Sequence, residues 1–453
     1  MRIHFIAIGG AAMHNLAIAL KSNGENISGS DDEIFEPSRT NLKHHNLLPP
    51  SFGWDATKIS EDLDLIILGM HARKDNPELK RAQELGIPIM SYPEFIYSRS
   101  LSKKRVVIAG SHGKTSTTSM VLHVLKESRM AFDFMVGAKI KGFDTMVQLS
   151  DAPVIILEGD EYFSSPIDMK AKFLWYRPHI ALITGIAWDH INVYPTKESY
   201  NDAFKEFIEG IDINGTLIYF EGDEQLSMLV RDHADQGKKI AYNEIDHFLD
   251  GEGTSIRVGN LNYHINVFGK HNLQNIQGAR LICNELGITD LQFATAIQSF
   301  EGAANRLELL ASKGEYKIFK DFAHSPSKLK ATTSACKEQF PSKKLLAVME
   351  LHTFSSLTAG FLNEYKGSMN DADYAIVYFN PETVKHKKLD EIHPDQIRQA
   401  FEKNDLRVVT SNAELKEILS RLIPKFEITL LMTSGNFGGL DLMDFTRNIP
   451  ESN

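Results

Sequence analysis

The chain has 453 residues, enough for about two to four domains, and its 42% apolar and 24% charged content is that of a globular protein with a sizeable core. A net charge of −10 argues against a general nucleic-acid or membrane-surface binder, although a local basic pocket for phosphates remains compatible with it. Cys283 and Cys336 fit no metal-ligand spacing and read as idle thiols of a reducing cytosol; the apolar run at the N-terminus is too short for a signal peptide, and no stretch approaches a membrane span, so a cytoplasmic protein is expected.

The first block opens with an apolar run, Ile3 to Ile8, then the turn Gly9-Gly10-Ala11-Ala12, then a helical pattern through Leu16, Ala17 and Leu20. A second strand ends in Ser28-Gly29-Ser30-Asp31, and Leu65 to Leu68 reads as a buried strand. Strands alternating with helices predict a parallel α/β sheet that ends near the polar stretch Ser98 to Arg105. The second block starts with the strand Val106 to Ala109, with further strands at Val154 to Leu157 and Ile180 to Ile183. Residues 215–268 carry short alternating runs broken by Gly and Asn and predict a small antiparallel sheet, closed by a helix from Asn272 to Leu286. The third block begins around Ala303 to Arg306. Its strands, at Lys317 to Phe319, Leu345 to Val348, Ala375 to Tyr378 and Ile428 to Met432, are again separated by helices.

Gly110-Ser111-His112-Gly113-Lys114-Thr115 stands directly after a strand and before a helix expected from Thr117 to Lys126. Glycines let backbone N–H groups turn toward a phosphate, and the helix N-terminus favours the same charge. Lys114 can reach β- and γ-phosphates, and the Thr115 hydroxyl can ligate Mg²⁺. The two glycines are closer together than in the usual phosphate loop, but the strand-to-helix placement favours nucleotide binding over a mere turn. Glu158-Gly159-Asp160-Glu161 follows the strand Val154 to Leu157, and Asp189-His190 follows Ile180 to Ile183. Strand C-termini of a parallel sheet face the ligand crevice, and carboxylate oxygens suit a hard cation. Taken alone, such an acidic cluster is a solvated loop and a lone His is structural; their position in the block of the phosphate loop makes them candidates for metal binding. Gly9 to Ala12 with Asp31 is a degenerate dinucleotide fingerprint, so a nicotinamide-dependent dehydrogenase is the reading from another class. A binding module that takes ATP without catalysis is a third.

Together these residues resemble the Mur ligase family. The likeness also takes in Asp75-Asn76-Pro77-Glu78, Gly269-Lys270-His271-Asn272 with Asn275, Asn305-Arg306-Leu307-Glu308 and Asp321-Phe322-Ala323-His324, and runs over essentially the whole chain. It implies three α/β domains. Residues 1–102 would be Rossmann-like and bind a UDP-sugar. Residues 103–302 would be P-loop ATPase-like with a small antiparallel sheet, and residues 303–453 Rossmann-like and bind the acceptor.

The implied reaction joins an amine to the carboxylate of UDP-N-acetylmuramate through an acyl phosphate, with ATP as co-substrate and Mg²⁺ as cofactor. Lys114, Glu158 and His190 would be catalytic, and Thr115, Glu158 and His190 would hold metal. ATP would lie on Gly110, Ser111, His112, Gly113, Lys114, Thr115, Ser116, Asn272, Asn275, Arg306 and Asp321. The UDP-sugar would lie on Gly9, Gly10, Ala11, Ala12, Asp31 and His71, and the acceptor on His324, Ser325 and His352.

Within the family the chain is most similar to the murein peptide ligases of peptidoglycan recycling, whose acceptor is the tripeptide L-Ala-γ-D-Glu-meso-diaminopimelate. This likeness rests on Glu158 to Tyr162 followed by Asp168 to Phe173, on Leu351-His352-Thr353-Phe354, and on Ser434 to Gly439. Relatives that add L-alanine carry two arginines after the position of Glu350; here Thr353 and Ser356 stand there. An L-alanine ligase of de novo synthesis is the alternative. Some relatives use a carbamylated lysine; alignment on Tyr200 puts Phe204 rather than Lys205 at that position, so none is expected.

Overall fold

The computed structural model describes residues 1–188, 193–234, 236–250, 253–303, 306–313 and 316–447. Two compact units emerge. One comprises Met1–Trp188, Val193–Asn243 and Gln277–Phe293; the other comprises Glu244–Ile276 with the chain from Ala294 onward.

The first unit contains two sheets. A four-stranded parallel sheet runs in the order Asn26–Ser30, Arg2–Ile6, Leu65–Leu68, Ile89–Ser91. All four residues of Leu65–Leu68 are buried, because helices cover both faces; such a strand reads as an unbroken apolar run rather than an alternating one. The helix Pro77–Glu84 is started by Asn76, whose side chain accepts from the Glu78 and Leu79 N–H groups. A capping box of Ser91 and Glu94 starts Tyr92–Arg99.

The second sheet has seven strands, in the order Lys238–Tyr242, Thr216–Phe220, Ile180–Ile183, Lys104–Ala109, Val154–Glu158, Asp133–Met135, Val147–Gln148. Only the last pair is antiparallel. Within the polar stretch Ser98 to Arg105 two basic side chains are buried and tied down. Lys103 Nζ lies 2.9 Å from Asp133 and donates to the Ser150 and Ala152 carbonyls, and the Arg105 guanidinium donates to the Tyr176 and Ser100 carbonyls.

Residues 215–268 differ from the sequence expectation. Thr216–Phe220 and Lys238–Tyr242 are parallel strands of the large sheet, joined by the helix Glu224–His233. The antiparallel sheet is confined to His247–Asp250, Gly253–Val258 and Leu261–Ile265, in the second unit. Asp223 caps the helix by accepting from the Leu226 N–H at 3.0 Å, and a strand–helix–strand crossover stands where short antiparallel runs were expected.

The second unit also contains a six-stranded sheet, ordered Glu308–Lys313, Tyr316–Asp321, Ile428–Met432, Leu345–Leu351, Tyr374–Phe379, Leu406–Val409, parallel except for the first pair. Its two faces carry separate cores, one around Phe319, Leu345 and Met349, the other around Ile318, Val348 and Leu431. Among the described residues no helix is long and apolar enough to cross a membrane. Cys283 and Cys336 are both buried.

Candidate functional site

Register places the nucleotide candidates together. Ala109 lies opposite Ile183, and Ile108 opposite Glu158, so the loops that follow these three strands leave the same edge of the seven-stranded sheet. Gly110 has φ 126°, and a Cβ there would lie 2.2 Å from Thr184 Oγ1. Only glycine allows that approach, which is sealed by the Ser111 N–H donating to the Gly185 carbonyl at 2.9 Å. Gly113, at φ 80°, starts the helix Lys114–Glu127, which begins three residues earlier than the sequence suggested. The N–H groups of Lys114, Thr115 and Ser116 thus belong to its first turn, where they have no carbonyl partner within the helix.

Each carboxylate of the Glu158–Glu161 loop has a partner. The Thr115 hydroxyl donates to Glu158 Oε1 at 2.8 Å, and the Gly137 N–H donates to Oε2 at 3.0 Å. Lys172 Nζ lies 2.6 Å from Asp160. Lys114 Nζ lies 2.8 Å from Glu161, and the two side chains are 14% and 0% exposed. Burial works against the charged lysine, but the Glu161 carboxylate outweighs it and holds the Lys114 pKa above its ordinary value. The Tyr200 hydroxyl lies 3.0 Å from Ser111 Oγ and 3.3 Å from Glu161 Oε1, and the Tyr194 hydroxyl donates to the Glu161 carbonyl at 2.6 Å. These tyrosines, which the sequence reading did not single out as site residues, brace the lysine's partner. Phe204 is buried against Phe173 and Tyr200 in this aromatic cluster.

The Thr115 hydroxyl and the Glu158 carboxylate are hard oxygen donors in contact, which is the chemistry Mg²⁺ takes when it keeps waters and phosphate oxygens as its other ligands. Among the described residues no cluster of three His, Cys, Asp or Glu could hold a metal on its own. Asp189 and His190 lie outside the described residues, as does Asn305.

In the four-stranded sheet, Gly9 leaves the strand Arg2–Ile6 and donates its N–H to Asp31 Oδ2 at 2.7 Å; a Cβ on Gly9 would lie 2.9 Å from that oxygen. Gly10 precedes the helix Ala11–Ser22, and Ala12 lies in its first turn. His71 is exposed beyond the end of Leu65–Leu68, where the Gly69 N–H donates to the Ile6 carbonyl. Gly9 to Ala12, Asp31 and His71 therefore share one edge of their sheet.

Burial pushes the Asp31 carboxyl up to about 6, with the adjacent Asp32 adding to the shift. An acid whose pKa is raised by folding is bound more tightly to its proton in the native state, so its contribution to stability is full below about pH 4 and declines as pH rises through 6. Asp31→Asn is therefore expected to flatten the pH dependence of the melting temperature between about pH 4 and 6, and to leave it unchanged above that range. Calorimetric melts of both proteins check this, and parallel curves would contradict it.

In the second unit, Asp321 is buried and accepts from the Leu307 N–H at 2.8 Å and the Ala323 N–H at 2.7 Å. Both oxygens thus brace backbone rather than point outward. Arg306 stacks over the Phe322 ring, 4.8 Å from its centroid. Asn272 and Asn275 are buried on Lys270–Glu285, Asn272 donating to the Phe268 carbonyl at 2.9 Å. Asp321 lies opposite Met432, and Met349 opposite Met432, so the segments after these strands converge. They carry His324 and Ser325, His352, and Ser434 to Gly439. Glu350 joins them by accepting from the Thr433 hydroxyl and the Phe437 N–H, and a Cβ on Gly435 would lie 2.8 Å from the His352 ring. Ser356 is fully buried and hydrogen-bonded to Thr353 at 2.9 Å. Lys387 Nζ lies over the exposed Phe354 ring, 4.4 Å from its centroid.

Comparison with known proteins matches three successive parts of the chain to one family. Residues 2–100 match the description Mur ligase family, catalytic domain; residues 108–283 match Mur ligase middle domain; residues 305–435 match Mur ligase, glutamate ligase domain. The UDP-N-acetylmuramate–L-alanine ligase of Caldicellulosiruptor bescii is 31% identical over 386 residues, 82% of each chain. The UDP-N-acetylmuramate–L-alanyl-γ-D-glutamyl-meso-2,6-diaminoheptandioate ligase of Haemophilus influenzae is 25% identical over 459 residues, 97% of each. Among solved structures, the UDP-N-acetylmuramate–alanine ligase of Thermotoga maritima superimposes with a TM-score of 0.71 at 22% identity, over 99% of this chain and 98% of that one, a likeness of fold. The chain belongs to the Mur ligase family of ATP-dependent, amide-forming ligases.

Proposed function

We propose that this ligase joins the tripeptide L-Ala-γ-D-Glu-meso-diaminopimelate to UDP-N-acetylmuramate. A carboxylate does not react with an amine at neutral pH because its leaving group is an oxide. Its oxygen therefore attacks the γ-phosphate of ATP, ADP leaves, and the peptide amine displaces phosphate from the resulting acyl phosphate. Lys114 exchanges Glu161 for the γ-phosphate and stabilises the charge in transfer. Thr115 and Glu158 would hold Mg²⁺, with His190 at a second metal, and the metal would neutralise phosphate charge. The N–H groups of the Gly110–Ser116 loop cradle the phosphates. Asn272 and Asn275 lie near the base and ribose, and Asp321 positions Arg306 for ATP. Gly9 to Ala12, Asp31 and His71 receive the UDP-sugar, and His324, Ser325 and His352 the acceptor. Residues 1–102, 103–302 and 303–453 divide these tasks.

The observation that carries the acceptor assignment is the loop after Leu345–Leu351. A free amino acid presents its carboxylate within a few bonds of the reacting amine, and a site selective for it needs a charge-assisted partner there, normally arginine. Thr353 and Ser356 supply no charge and are turned to each other. The cation beside this loop is Lys387, out across the exposed Phe354 ring, where the farther carboxylates of a peptide reach. The higher identity to a named L-alanine ligase, 31% against 25%, favours L-alanine as the second reading. Incubation with ATP, UDP-N-acetylmuramate and both acceptors at equal concentration, followed by mass analysis of the products, is expected to yield the tripeptide adduct. A dominant L-alanine adduct would establish the second reading.

A further inference from the structure

The carboxyl edge of the six-stranded sheet holds a histidine beside a buried carboxylate. Ile428–Met432 lies between Tyr316–Asp321 and Leu345–Leu351 and runs parallel to both. The chain leaving Met432 goes to the core face of Leu442 and Phe445, whereas the chain leaving Leu351 goes to the opposite face, that of Leu357 and Leu362. Adjacent parallel strands whose connections part in this way open a crevice beyond their carboxyl ends, which is where such sheets take their ligands. His352 follows one of these strands and Gly435 the other. Glu350 is 3% exposed and His352 37% exposed, and His352 Nδ1 lies 3.9 Å from Glu350 Oε1. The other carboxylate oxygen is fixed by the Thr433 hydroxyl and by the Phe437 N–H, the latter at 2.8 Å. A Cβ on Gly435 would lie 2.8 Å from that second oxygen and from His352 Nδ1, so glycine is what lets the ring stand beside the carboxylate. Neighbouring elements bring Tyr378, opposite Glu350 on the next strand, the buried Asp321, His324, whose Nδ1 lies 2.9 Å from the Phe322 carbonyl, and Lys387 over the Phe354 ring. Residues 433–439 carry no charged side chain.

An amine attacks an acyl phosphate only through its lone pair. The α-amino group of a peptide or amino acid has a pKa of about 8, so at neutral pH the acceptor arrives mostly as ammonium and must first lose a proton. We propose that His352 is the general base that takes this proton, with Glu350 as the positioning residue that orients the imidazole and balances its charge once formed. Nδ1 faces the carboxylate, so Nε2 is the atom that receives the proton. The neutral amine then forms the carbon–nitrogen bond. The carbon–oxygen bond to phosphate breaks, its electron pair leaves with phosphate, and one of the two remaining N–H protons goes with it. The imidazolium returns its proton to water after the amide has left. The inference rests on the acyl phosphate and the acceptor site assigned above, and it holds for either acceptor.

The test compares two nucleophiles in the presence of ATP and UDP-N-acetylmuramate. One is whichever of the tripeptide and L-alanine the wild type uses faster; the other is hydroxylamine, which is unprotonated at neutral pH, needs no base and traps the acyl phosphate as a hydroxamate. His352→Asn is expected to lower amide turnover at neutral pH about a hundredfold, the scale of general base catalysis, and to leave hydroxamate formation unchanged. At saturating acceptor the turnover of the variant is expected to rise about tenfold per pH unit from about pH 6 toward 8, as free amine becomes available, so that its deficit shrinks. Glu350→Gln, which keeps an acceptor oxygen for Thr433 and Phe437, is the second variant should His352→Asn not fold, and the same pattern with a smaller loss is read from it. Wild-type amide turnover in the variants overturns the assignment. So does a deficit that stays constant across this pH range, as lost packing or lost acceptor binding would give, and so does an equal loss of hydroxamate. Wild-type protein that forms neither amide nor hydroxamate overturns the acyl-phosphate reading itself, and the inference with it.

Discussion

Lys114→Ala is expected to lower ligation turnover about a thousandfold, the scale of losing one preorganised electrostatic group in a water-poor site. Two features make the effect large. The lysine side chain is 14% exposed, so the field it exerts is screened less than at a surface. It also sits on the first turn of Lys114–Glu127, where the helix N-terminus already favours phosphate. The variant is expected to retain part of its ATP affinity, because the loop N–H groups remain. Phosphate release with saturating donor and acceptor measures the loss. Near-normal turnover would remove Lys114 from the phosphoryl step.

Glu161→Gln tests the other half of the pair, through stability. Glu161 is fully buried, and its removal leaves the lysine charge in the interior beside a neutral amide. Breaking a buried pair from one side costs about 3–5 kcal/mol, so a clear drop in melting temperature is expected without nucleotide. The wild-type contribution persists through neutral pH. Because the Lys114 pKa is raised above 10.5 in the folded state, the stabilisation is complete below that value and is lost only as pH climbs through the raised one. Saturating ATP with Mg²⁺ gives Lys114 a new anionic partner, so the deficit of the variant is expected to shrink on adding nucleotide. A variant as stable as wild type, or a deficit that nucleotide leaves unchanged, would contradict this view of Lys114 as shared between Glu161 and the phosphate.

Much of this arrangement is written locally in the chain. Strands buried on both faces, such as Leu65–Leu68 and Ile180–Ile183, appear as unbroken apolar runs, and the phosphate loop stands out because its glycines have a backbone reason to be there. Gly9 to Ala12 was less decisive, since the same turn suits a dinucleotide; membership of the Mur ligase family decides against the dehydrogenase. Other features depend on partners distant in sequence. Nothing near Glu161 announces that Lys114, Tyr194 and Tyr200 converge on it. Asp321 is another such case: its carboxylate is engaged by two backbone N–H groups, so it can serve ATP only by holding the Arg306 turn. The strands Glu308–Lys313 and Leu406–Val409 are edge strands of the sheet: the first is partly exposed along its length, and the second is a four-residue run interrupted by Arg407, so neither stands out as a long apolar or alternating run.

The choice of acceptor is the most consequential claim, and kcat/KM for the tripeptide and for L-alanine, each with saturating ATP and UDP-N-acetylmuramate, tests it most directly. A site without a cation for the α-carboxylate forgoes a charge-assisted interaction, which amounts to about a tenfold to hundredfold preference. The account predicts that ratio in favour of the tripeptide. L-alanine used as well as the tripeptide, or better, would contradict it.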